Sequence, residues 1–227
     1  MNEIINHSRQ LAREIELGFD LLSQITSDFS DFQVQIIVGL YASCVDLSQS
    51  VEFLAQNDKF NEAQIIMRSL LEHFVELKTA CEDPEHLKNI QQRHASKIVK
   101  TLKHAGEQNP FFEGFAEKLD LDSETAQWSE ISADIKGLGG KEEQLRRRFD
   151  KAGMLDVYKS VYANLSDLVH PTFAGIIRKY LERDEETKKV HFNFPNPATE
   201  GTKVLVYSYT AELMSEATVI FKAKSRL

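Results

Sequence analysis

Along most of this chain apolar residues recur at three- and four-residue intervals, the signature of helices that each bury one side. Over residues 3 to 26 the positions Ile4, Ile5, Leu11, Ile15, Phe19, Leu22 and Ile25 keep that interval, and Ser27-Asp28 interrupts it. A second run, Phe32 to Leu54, carries Val34, Ile36, Ile37, Val38, Leu40, Cys44, Val45, Leu47 and Val51 around nearly its whole circumference, which predicts a helix covered on most sides. After the turn at Asn57-Asp58 a third helix is expected from about Phe60 to Cys81. So short a connection predicts that the second and third helices are antiparallel neighbours.

Asp83 as N-cap and Pro84 at the first helical position begin a fourth helix, to about Ala105, whose apolar side holds Leu87, Ile90, Ile98 and Leu102. His94 falls on that side and reads as a hydrogen-bonded core histidine. Beyond Asn109-Pro110 come a short aromatic segment (Phe111, Phe112, Phe115) and a helix over Asp122–Ile135 with the sole tryptophan, Trp128. Gly137, Gly139 and Gly140 read as a helix stop; no strand precedes them and no Lys-Ser/Thr follows, as a phosphate-cradling loop would require. A charged helix (Lys141–Ala152) and an amphipathic one (Met154–His170) follow, the latter stopped by Pro171. Another helix is expected over Phe173–Leu181, then a solvated charge run, Glu182–Lys189. Val190 to Phe194 alternates like a strand and lacks an evident partner, so it reads as an extended arm near residues 190–194. The last helix spans about Gly201–Lys224. These elements make an all-α, multi-helix bundle of about eight helices in one domain over 1–227, with its core at about 31–181 and the arm and last helix over 190–225.

Composition narrows the setting. With 42% apolar residues the chain can build a core without disulfides, and its two cysteines, Cys44 and Cys81, sit inside helical patterns. The start lacks the basic and apolar regions of a secretory leader, and no continuous apolar run reaches the length of a membrane span. A cytoplasmic protein with no membrane contact is the expectation. Thirty-five acidic against 27 basic residues leave a net charge of −8, so any RNA contact must be local. No motif calls for a cofactor, and zinc-protease, Cys-x-x-Cys and Gly-x-Ser-x-Gly signatures are absent.

Two polar rows carry the candidate chemistry. Arg68, Glu72 and Glu76 stand at four-residue steps on the third helix, opposite an arc of Ile66, Leu70, Leu71, Phe74 and Val75. Ile65 lies within the polar arc, which implies that a second layer covers it and that the charges satisfy one another. Tyr162, Ser166 and His170 repeat the spacing on a later helix, at the rim of its apolar arc, and the two rows are expected to face each other. One reading is a buried network that fixes helix register; the other has His170 as acid/base, Arg68 holding phosphate charge and Glu72 orienting one of them. Asp167 and His170 beside Glu72 and Glu76 would suit a metal, but a matching second Glu-x-x-His is absent, so no metal is assigned. Arg93, Lys97 and Lys100, with His104, form a basic strip suited to a phosphate backbone, and Arg146-Arg147-Arg148 a second basic cluster.

R-S-L-L-E in an apolar helix, a lone tryptophan segment and Y-A-N-L-S-D-L-V-H-P together resemble an uncharacterised bacterial all-helical family with R-x-x-x-E and S-x-x-x-H hallmarks. Arg68 and Glu72 match the first, Ser166 and His170 the second, over roughly residues 35–175. In general plan such proteins are similar to HEPN bundles, many of them toxin or phage-defence ribonucleases with R-x(4–6)-H on a late helix. The resemblance implies a metal-independent ribonuclease as the alternative to a binding or assembly module acting as a homo-oligomer or with a partner protein. In this chain that motif is matched by Arg68 and His73 on an early helix.

Overall fold

A computed structural model of the chain describes residues 2–25, 31–106, 110–112, 114, 119–170, 172–193 and 197–224. The fold is an all-α multi-helix bundle with one small hairpin. It divides into two compact units, Met1–Cys81 with Arg148–Leu227, and Glu82–Arg147.

In the first unit α1 (Asn2–Ser23), α2 (Phe32–Gln56) and α10 (Glu200–Lys224) pack closely together. Gly18 permits this: a Cβ there would lie 2.7 Å from Val45 Cγ2 on α2 and 3.1 Å from Met214 Cε on α10. Tyr41 of α2 stacks on Phe221 of α10 at 4.1 Å and shares a hydrogen bond with Thr218 Oγ1 at 2.9 Å, so its buried hydroxyl is satisfied. The core continues into α3 (Phe60–Glu82) and α8 (Ala163–Val169), where Leu11, Val51, Met67, Leu165 and Val206 form one buried cluster. The turn between α2 and α3 is as short as expected, with Asp58 at φ +56°. α2 nevertheless packs most closely on α1 and α10, not on α3.

That arrangement corrects the expectation of a covered second helix. α2 leaves Phe53 64% exposed, whereas α3 buries Leu70, Leu71, Phe74, Val75 and Glu76 and is the better covered rod. Among the described residues α2 is also the one helix long and apolar enough, by length and composition, to cross a membrane. The Ser27-Asp28 break before it lies outside the described residues.

The helix expected over 154–170 is one rod with an irregular centre: α7 (Leu155–Val157), a π turn (Tyr158–Tyr162) and α8. α9 (Phe173–Tyr180) follows, capped by Thr172, whose Oγ1 accepts from Gly175 N at 3.0 Å. α9 presses so closely on α8 that a Cβ at Gly175 would stand 2.1 Å from the Asp167 carbonyl oxygen. The segment read as a lone arm does have a partner. Val190–Phe192 (β2) pairs antiparallel with Leu181–Arg183 (β1), Leu181 opposite Phe192, and the loop between them is tied by Asp184, which accepts from the N–H groups of Glu186 and Thr187. Leu181 therefore belongs to a strand and not to α9. Phe194, the last residue of the predicted arm, lies outside the described residues.

The second unit is built on α4 (His86–Gly106) and α5 (Leu121–Gly137). Asp83 caps a turn, accepting from Glu85 N at 3.0 Å, and α4 begins three residues later. A short 3-10 turn covers Pro110–Phe112; Phe115 lies outside the described residues. The glycine run ends α5 by a Schellman arrangement: Gly139 at φ +95° donates to Lys136 O and Gly140 to Ile135 O. Residues 141–144, expected as helix, have no regular secondary structure, with Lys141 N donating to Asn89 Oδ1 at 2.8 Å and Glu143 Oε2 3.5 Å from His86 Nδ1. α6 (Leu145–Lys151) starts only after them. His86 is thus the buried histidine of this unit. His94, read as core, is exposed and lies edge-on to the Trp128 ring at 5.7 Å.

Candidate functional site

The polar side of α3 meets the late helix, but through one member of its row. Tyr162 Oη accepts from Arg68 Nε at 3.0 Å and Nη2 at 2.6 Å and donates to Glu72 Oε1 at 2.8 Å. Arg68 Nη2 stands 3.4 Å from the same carboxylate oxygen, and its guanidinium carbon lies 5.0 Å from the Tyr162 ring centroid. A cation, a phenol and a carboxylate therefore close a three-membered knot, with the Arg68 and Glu72 side chains 21% and 32% exposed. Burial pushes the Tyr162 phenol above its ordinary pKa; the Arg68 hydrogen bond opposes this and the Glu72 carboxylate reinforces it. At neutral pH the phenol is protonated and can donate to Glu72.

The π turn positions Tyr162. Hydrogen bonds in such a turn span five residues, so the 100° wheel that placed Tyr162 at the rim does not hold there. Tyr162 is instead 5% exposed, stacked on Tyr158 at 5.3 Å, with Phe149 5.2 Å from both rings. Arg148, beside Phe149, is drawn to α3 as well and donates from Nη1 to Glu76 Oε1. Glu76 therefore takes Arg148 of the basic cluster as a partner. Its side chain is 10% exposed and that of Arg148 17%, so the ion pair is largely desolvated. The cluster read as a phosphate contact is divided: Arg148 holds Glu76, while Arg147, 3.6 Å from Glu143, and Arg146 are exposed.

Ser166 and His170 do not join these hydrogen bonds. Ser166 is half-buried; His170 is exposed at the C-cap of α8, in an extended conformation (φ −85°, ψ 146°). Pro171 follows it in the sequence, and a residue before proline is turned away from helical dihedrals. The row thus loses its last member to the end of the helix, and eight residues at about 1.5 Å each separate His170 from Tyr162 by about 12 Å along the rod. His73, the histidine of the R-x(4)-H match, bonds through Nδ1 to Ser69 O of its own helix at 2.9 Å. Among the described residues no three His, Cys, Asp or Glu side chains converge as metal ligands would.

Within the second unit, Lys97 and Lys100 of the expected basic strip are exposed and Arg93 is half-buried. Lys100 Nζ pairs with Glu142 Oε2 at 3.4 Å.

Residues 34–189 match a family of unknown function (DUF5677). The chain belongs to this family. The match spans more than half the chain and contains Arg68, Glu72, Glu76, Arg148, Tyr162, Ser166 and His170. Comparison with curated proteins gave no match, and neither did comparison with solved structures.

Sequence reasoning missed Arg148, whose sign and helical setting read as one surface charge among three. It also placed Tyr162 at the rim of the apolar arc and not within the core, because a wheel carries no information about a π turn.

Proposed function

We propose that this member of the DUF5677 family is a helical assembly module that self-associates, with the Arg68–Tyr162–Glu72 knot and the Arg148–Glu76 pair as the architecture that holds its late helix on α3. The observation that carries the reading is a contrast in exposure. On α3, Arg68 and Glu72 are tied to Tyr162 and Glu76 to Arg148, while α9 turns its apolar stripe outward. Phe173, Ile176, Ile177 and Tyr180 follow the i, i+3, i+4, i+7 rule of a helix that buries one face, yet Phe173 is 80% exposed and Ile176 45%. Phe192 and Val190 of the adjoining hairpin extend the same character, at 73% and 60% exposed. A contiguous apolar patch of this kind marks an interaction site. Among the described residues the two three-residue strands also leave both sheet edges unpaired, and so short a hairpin gains stability when a further strand joins it. A second copy supplies both a matching stripe and a matching edge, through a two-fold contact.

A ribonuclease would need Arg68 and His170 in one open cleft, and here the guanidinium is engaged by Tyr162 and Glu72 while His170 stands in solvent beyond the helix end. Light scattering on the purified chain tests the proposal. A dimer that Phe173→Ser with Phe192→Ser converts to monomer supports it. A monomer at all concentrations overturns it, and so does RNA cleavage that Arg68→Ala and His170→Ala abolish at unchanged melting temperature.

A further inference from the structure

The second unit carries a cavity of about 340 Å³ between α4 and α5, lined by Ser96, Lys100, Lys103, Ser132, Lys136 and Glu142, with Val99, Ser129 and Ala133 completing it. We infer that this cavity binds a phosphate-type oxyanion on a small ligand, and that Glu142 occupies the anion's place when the ligand is away. The proposal stands apart from the self-assembly reading and shares no residue with it.

The hydroxyl groups are organised from behind. Gln92 is fully buried and its Nε2 donates to Ser96 Oγ at 3.0 Å and to Ser132 Oγ at 2.9 Å. Each serine oxygen thereby accepts from the glutamine, and its own O–H proton is left to be donated elsewhere. The two serines stand on different helices, and both line the cavity. Ser129 differs: its hydroxyl donates to Thr125 O at 2.6 Å, which leaves its oxygen an acceptor. Two preset donors are thus surrounded by three ammonium groups, from Lys100, Lys103 and Lys136. Such a set suits an anion with several acceptor oxygens, and the volume lies at the low end for small-molecule sites, which run from about 300 to 1,000 Å³.

Glu142 behaves as the stand-in. It sits on the non-helical segment after the α5 stop, and its carboxylate is held below the usual range by a hydrogen bond from Ser96 and by Lys100 and Lys136. A carboxylate that accepts from Ser96 and stands 3.4 Å from Lys100 Nζ makes two of the interactions a phosphate would make. Glu142 is exposed, so it can swing out without uncovering a core.

The sign of one substitution separates a ligand site from a merely structural ion pair. With the full-length protein, calorimetric titration uses inorganic phosphate, pyrophosphate and adenosine 5′-monophosphate, against sodium chloride at matched ionic strength. The expected result is saturable one-to-one binding of at least one phosphate compound. Glu142→Gln should tighten it by about fivefold, as removal of a competing surface charge near 1 kcal/mol predicts. Lys136→Gln and Lys103→Gln should each weaken it, and Ser132→Ala should weaken it at unchanged circular dichroism. Three outcomes would overturn the proposal: no binding of any of the three probes, heat matched by chloride, or Glu142→Gln without tightening.

Discussion

The Arg148–Glu76 pair offers the most quantitative consequence of the fold. Replacing Glu76 by Leu leaves the Arg148 guanidinium in a site where its side chain is only 17% exposed. Breaking a fully buried pair by removing one partner costs about 3–5 kcal/mol. The residual exposure of both side chains admits some water, so about 2–3 kcal/mol is expected here. At about 2–4 °C per kcal/mol for a chain of this size, the melting temperature should fall by about 5–10 °C. The double variant Glu76→Leu with Arg148→Met replaces both charges by apolar groups of similar volume and should return to within about 1 kcal/mol of wild type. Urea denaturation followed by near-ultraviolet circular dichroism suits the purpose, because Tyr158 and Tyr162 pack on Phe149, the neighbour of Arg148. Trp128 fluorescence reports residues 82–147 in parallel. A single variant that costs under about 0.5 kcal/mol, or a double variant as unstable as the single, would refute the reasoning.

Other consequences are as direct. Burial, reinforced by Glu212 and Glu216, pushes the Tyr209 phenol up to about 12. Because that exceeds its unfolded value of about 10, the contribution is complete below pH 10 and lost as pH rises through 12; alkaline unfolding should track phenolate absorbance in that window, and a Tyr209→Phe variant should lose the coincidence. Burial likewise raises the Cys44 thiol to about 12, so iodoacetamide near pH 8 should modify half-buried Cys81 well before Cys44, as peptide mass mapping would read; equal rates would contradict the packing of α2 on α1 and α10. Gly175→Ala sets a methyl against the Asp167 carbonyl and should destabilise the α8–α9 corner by about 1–3 kcal/mol, measured by thermal melting, whereas a neutral result would show that the two helices are not so close.

Much of the fold was legible because its helices are amphipathic and punctuated. α3 and α10 start and end within a residue of the expected limits, and the Gly137–Gly140 run stops α5 through a left-handed glycine as its composition implies. The elements that escaped are those whose partner is distant or whose geometry departs from 3.6 residues per turn. Leu181–Arg183 carries no strand signal of its own; it is extended because Val190–Phe192 lies beside it. Helical periodicity placed Arg68, Glu72 and Glu76 in one row, and charge on a covered face demands neutralisation. Which partners came could not be read: the π turn rotated Tyr162 inward, Pro171 turned His170 out of the helix in sequence terms, and Arg148 arrived from a helix that begins four residues later than its charges suggested. In α4, Gln92 and Ser96 at i, i+4 on the buried side were the available signal for the oxyanion cavity, because polar groups on a covered face must be hydrogen-bonded or waiting for a ligand.

The central claim is that Arg68, Tyr162 and Glu72 act together as architecture. A double-mutant cycle with Arg68→Met, Tyr162→Phe and the combined variant, measured by urea denaturation, tests it most directly. The hydrogen bonds from a charged guanidinium to the buried phenol predict a coupling of about 1–2 kcal/mol, with each single variant destabilised. Additive effects, with coupling below about 0.3 kcal/mol, would contradict the account.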